Sequence, residues 1–133
     1  MTERFPDLEI YLMKGDPAKV TEWLGAELGD LETKKDTGTH QHWRCGKMDI
    51  YMNANAEKNF SSLWFKQNGT PWNTDLEAAR AAWTALETEI RCSNSGWDES
   101  EGESDSDGWI KLNARGQKSF SWGFLLYLFK RHS

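Results

Sequence analysis

Residues 39–53 constrain the fold more tightly than any other part of this chain. Gly46-Lys47 stands at their centre, and glycine at the first central position is the preference of a two-residue type II′ hairpin turn. Folding the segment back there sets Cys45 opposite Met48, Trp43 opposite Ile50 and Gln41 opposite Met52 on one face. The other face then carries Arg44 opposite Asp49, His42 opposite Tyr51 and His40 opposite Asn53. One register sorts nearly every apolar side chain from the polar ones, and a slip of one residue would scramble both faces.

The flanking segments supply the rest of a sheet and its cover. Leu8, Ile10 and Leu12 alternate with Glu9, Tyr11 and Met13, the period of a half-buried strand. Gly15 breaks it. Asp16-Pro17 then reads as an N-cap with proline at the first helical position. Val20, Trp23, Leu24, Leu28 and Leu31 fall on one helical face, with Gly29 as the stop. After a polar turn over residues 53–59, residues 60–66 predict a third strand of the meander. Ser61, Leu63 and Phe65 extend its apolar face, and Ser62, Trp64 and Lys66 its polar one. Asn68-Gly69-Thr70-Pro71 ends the strand.

Thr74-Asp75-Leu76-Glu77 has the spacing of a capping box. Leu76, Ala79, Trp83, Leu86 and Ile90 follow as one narrow helical stripe, opposite Asp75, Arg80, Thr84 and Glu87. Residues 91–97 predict a strand. Residues 109–112 are expected to pair, through a turn at 114–117, with residues 120–122. Residues 124–129 read as a buried strand or short helix, with Lys130-Arg131-His132 as a basic tip. The order is β-α-β-β-β-α-β-β-β, an α+β two-layer sandwich in which two helices pack on one face of a mainly antiparallel sheet. Residues 1–133 form a single domain in this reading. One valine and four isoleucines are few for so much sheet, and eight tryptophans and four methionines supply the missing core volume.

The net charge of −5 is concentrated in one place. Asp98, Glu99, Glu101, Glu103, Asp105 and Asp107 crowd residues 98–107, and the rest of the chain carries 15 acids against 16 bases. The acidity belongs to one loop, expected to be mobile, bracketed by Trp97 and Trp109. Tryptophans across a hairpin would clamp its base. A near-neutral remainder argues against a phosphate-tracking nucleic-acid binder. No apolar run approaches the ~20 residues of a membrane span, and the charged N-terminus lacks the apolar core of a signal peptide. Cys45 and Cys92 are far apart in no metal-type spacing, which fits two reduced thiols. These features predict a cytoplasmic chain with no membrane association.

Catalytic signatures are missing: no phosphate-cradling glycine loop, no nucleophile elbow, no His-Glu-x-x-His and no Cys-x-x-Cys. No catalytic residue and no cofactor is expected. His40 and His42, two apart on a strand, share a face on which both imidazoles would reach one metal ion, though a third ligand is not evident. Residues 103–110 resemble the first eight positions of a calcium-binding EF-hand loop, with Glu103, Asp105, Asp107, Gly108 and Ile110 in place. The resemblance fails at Lys111 and at Ala114, where the bidentate glutamate should stand.

Two surfaces remain. The acidic residues, with Trp97 and Trp109, suit a protein partner bearing a basic patch. On the polar sheet face, His40, His42, Arg44, Tyr51, Trp64 and Lys66 would lie together, a combination that suits a protein, a stacked base or a sugar ring. The leading expectation is a non-enzymatic protein-binding domain of the inhibitor, immunity or chaperone kind. The alternative is a ligand- or metal-binding domain, or an enzyme, using the face around His40, His42, Tyr51 and Trp64.

Overall fold

In a computed structural model, which describes residues 4–93 and 108–120, the central hairpin forms as its turn demands and the sheet grows outward from it. Along the chain the elements are β1 (Leu8–Met13), α1 (Pro17–Leu28), β2 (Glu32–Asp36), β3 (His40–Cys45) and β4 (Met48–Glu57). They continue with β5 (Phe60–Phe65), α2 (Asp75–Leu86), β6 (Ile90–Ser93), β7 (Trp109–Asn113) and β8 (Gly116–Phe120). These strands make one antiparallel sheet in the order β2-β3-β4-β5-β1-β6-β7-β8. It is an α+β architecture with both helices over one face.

The register of β3 and β4 is the one the residue pattern requires, from Cys45 opposite Met48 to His40 opposite Asn53. Gly46 adopts φ +63° and Lys47 does not share the positive sign, which is the backbone of a II′ turn. The side of the sheet beneath the helices carries Leu8, Ile10, Leu12, Ile50, Met52, Leu63, Phe65, Ile90 and Ile110. All are buried against Val20, Trp23 and Leu24 of α1 and Leu76, Ala79 and Ala82 of α2. Trp72 joins them from the loop before α2, stacked on Trp23 at 5.4 Å.

The helix starts follow their caps. Asp16 accepts from the Ala18 amide, with Pro17 at the first helical position. Thr74 Oγ1 accepts from the Glu77 amide at 3.2 Å. The capping box is displaced by one residue: Glu77 Oε1 takes the Asn73 amide, at 2.9 Å, in place of that of Thr74. Asp75, expected on the solvent side, is fully buried and accepts from the Glu9 amide of β1, tying helix to sheet.

Several boundaries differ from expectation. β2 was not legible, because Glu-Thr-Lys-Lys-Asp has no alternation and all five residues are exposed. It is an edge strand with a register shift between Thr33 and Lys35, and charge and irregularity are how such edges avoid further pairing. Leu31 lies beyond α1, which ends at Leu28 with Gly29 as its C-cap. β4 runs on through the predicted polar turn to Glu57, with an irregularity after Asn53. Ile90 opens β6, because Glu87 turns α2 off with φ +55°. The last turn is tighter than expected, with Asn113 directly opposite Gly116.

β1 is buried on both faces, not one. It lies between β5 and β6, and on the side away from the helices Tyr11 joins Phe60 and Trp109 in a second apolar cluster. No helix among the described residues is long and apolar enough to cross a membrane.

Candidate binding site on the outer sheet face

The sheet face away from the helices is where the polar halves of β3, β4 and β5 meet. Cross-strand pairing aligns His42 with Tyr51 and Tyr51 with Trp64. Strands lie ~4.8 Å apart, so rings on neighbouring strands must stack or splay. Here they stack. The His42 and Tyr51 ring centroids are 4.4 Å apart with planes at 17°, and those of Tyr51 and Trp64 are 5.6 Å apart at 31°. Trp64 is held upright by its Nε1–H, which donates to Asp7 Oδ2 at 2.8 Å. All three rings remain half-buried, so their edges meet solvent.

Asp49 organises the charges beside this row. Its Oδ1 lies 2.9 Å from His42 Nε2 and accepts from Arg44 Nη1 at 2.8 Å. A carboxylate in this position only accepts, so Nε2 carries the hydrogen. Gln67 braces the other side, donating to Oδ2 at 3.4 Å and accepting from the Asp49 amide at 2.8 Å. The hydrogen bond from His42 holds the Asp49 carboxyl below the usual range. Desolvation works against that shift, and Gln67 and the Arg44 charge add to it. Arg44 keeps 39% of its side chain exposed while Asp49 keeps 14%, so the cation is the part offered outward.

The face therefore assembles the residues that the hairpin register placed on it. His42, Arg44, Tyr51 and Trp64 form one bonded and stacked unit. Lys66 stands beside it, its amide donating to the Asp49 carbonyl at 2.9 Å, with an exposed side chain. His40 lies at the rim, Nδ1 2.6 Å from Asn53 Oδ1. The two histidines are thus directed at different partners. Among the described residues, no group of three His, Cys, Asp or Glu side chains is placed to hold a metal ion. Trp109 is 4% exposed and meets Tyr11 edge-on at 5.7 Å. Trp97 and the acids Asp98, Glu99, Glu101, Glu103, Asp105 and Asp107 lie outside the described residues.

Asp49 is the member that sequence reasoning placed opposite Arg44 but did not single out. Its signal was its diagonal position: in a two-stranded register it stands next to His42 as well as across from Arg44. The stacking has a chemical consequence for ligands. His42 is stacked on one face of Tyr51, so that face is not free to receive a base or a sugar. What the row presents is hydroxyl, imidazole and indole edges beside a guanidinium. The imidazole and Asp49 carboxylate resemble the orienting half of a hydrolytic triad, yet no hydroxyl or thiol among the described residues is hydrogen-bonded to His42.

Comparison with known proteins adds no relative. No family model matches the chain. Neither a curated protein nor a solved structure is significantly similar to it. The functional reading therefore stands on the geometry alone.

Proposed function

We propose that this protein is a non-enzymatic binding domain that engages a protein partner through the outer sheet face, with the acidic residues of 98–107 as a second, electrostatic contact. The observation that carries the proposal is the row of His42, Tyr51 and Trp64 rings in contact, with Arg44 beside it. A pre-stacked row loses little freedom on binding, and tyrosine, tryptophan and arginine are the side chains that dominate protein interfaces. The Tyr51 hydroxyl and the Arg44 guanidinium offer hydrogen-bonding tips beside apolar ring edges, which suits a polypeptide surface better than a planar ligand. The partner complements the acidic stretch with a basic patch, and charge steers the encounter.

The test uses the tagged chain to capture its partner from source cells, followed by affinity measurement with both proteins purified. Arg44→Ala is expected to weaken the purified complex about tenfold or more. Neutralising the six acids of residues 98–107 is expected to slow association and flatten its salt dependence. Affinity and salt dependence unchanged in both variants would overturn the reading.

A further inference from the structure

We infer that Asn68 is a modification site gated by the fold: its side-chain amide is protected while the loop before α2 is closed and is converted to an acid when that loop opens. The acid then stops the loop from closing as before. Asn68-Gly69 is the one Asn-Gly pair in the sequence. Glycine, with no Cβ, gives its backbone nitrogen the least hindered approach to the side chain that precedes it.

The fold does not demand that glycine. Its φ is not positive, and a Cβ there would meet the Met48 side chain at 3.8 Å, an ordinary contact. The fold does demand the asparagine. Nδ2 donates to the Phe5 carbonyl at 2.8 Å and to the Trp72 carbonyl at 3.0 Å. Oδ1 accepts from the Thr70 amide at 3.1 Å and from the Thr70 hydroxyl at 2.7 Å. Both donors and both acceptor positions of the amide are used, and together they tie the N-terminal segment to the loop. The Gly69 N–H is engaged as well, donating to the Gln67 carbonyl at 2.8 Å with Met48 Sδ at 3.3 Å.

The reaction uses only water. The Gly69 nitrogen, its proton lost to solvent base, attacks Asn68 Cγ. The N–Cγ bond forms, the Cγ–Nδ2 bond breaks, and Nδ2 takes up a proton and leaves as ammonia. Water then opens the resulting succinimide to aspartate or isoaspartate. The closed loop blocks this path twice, because the attacking proton is held in a hydrogen bond and the Cγ is fixed by four others. Conversion therefore follows the population of the open loop. The product cannot restore the clamp. A carboxylate only accepts, so the Phe5 and Trp72 carbonyls lose a donor and face another acceptor. Arg4 stands nearby, but its Nη1 donates to the Trp72 carbonyl and Asn73 Oδ1, and its Nη2 to the Asn68 and Thr70 carbonyls. A chain that has lain open is thereby withdrawn from refolding, independently of any partner.

The experiment incubates the full chain at mildly alkaline pH, in native buffer and in urea. Mass spectrometry of the tryptic peptide of residues 67–80 then follows amide-to-acid conversion at Asn68. Conversion is expected to be about tenfold or more faster in urea. Gly69→Ala is expected to keep the thermal midpoint and to slow conversion in urea severalfold. Asn68→Asp, which carries the product side chain, is expected to lower the thermal midpoint by about 5 °C or more. Equal rates in the two conditions, undiminished conversion in Gly69→Ala, or an Asn68→Asp chain as stable as the parent would overturn the inference.

Discussion

At Asp49 three side chains converge on one carboxylate, and the consequence is a defined response to acid. Its folded pKa lies below the ordinary value, about 3.9 for a free aspartate. The unfolded chain therefore takes up a proton first. The stabilisation is fully present above that ordinary value and is lost as pH falls through the lower, folded one. Asp49→Asn is expected to lower the urea midpoint at pH 7 and to narrow its deficit at pH 3. The same gap at both pH values would contradict this account. Gly46 makes a separate demand, since its φ of +63° disfavours any residue with a Cβ. Gly46→Ala should cost about 1–2 kcal/mol in urea unfolding. This is the turn from which the pairing register was read, and its glycine was legible because the requirement is local.

Legibility at the level of elements depended on where a strand's neighbours are. The hairpin, both N-caps and β5 announce themselves through short-range pattern. β2 does not: an exposed edge strand needs no apolar face, so Glu32, Thr33, Lys34, Lys35 and Asp36 look like a loop until β3 is beside them. Glu9 and Tyr11 mislead in the opposite direction. They read as solvent-facing, but β1 is central and its second face is covered. The end of α2 was blurred because Ile90 continues the apolar stripe into β6, whereas the stop comes from the backbone of Glu87. Capping yields its own prediction. Thr74→Ala removes the acceptor for the Glu77 amide and should cost about 1 kcal/mol, read as a lower thermal midpoint. Thr74→Ser should keep most of it.

The molecule as a whole keeps its core on one face of the sheet and the proposed binding surface on the other. Beneath the helices, burial dominates stability: Leu63 is fully buried, and Leu63→Ala should cost about 2–5 kcal/mol. Above, Arg44 is more than a third exposed, so its removal should alter stability by no more than about 1 kcal/mol while impairing partner binding. The residues of that face were legible because a single hairpin register orders them. The stacking of His42 on one Tyr51 face was not, since it depends on side-chain angles that no spacing encodes. The acidic stretch was visible as composition alone.

Hydroxyl-radical footprinting of the free chain and of its complex with the captured partner tests the proposed surface most directly, because it reads aromatic side chains one at a time. Partner binding is predicted to slow oxidation of His42, Tyr51 and Trp64 several-fold while leaving half-buried Trp83, on the helical side, unchanged. Protection of Trp83 with no change at Tyr51 would place the partner on the helices and contradict the account.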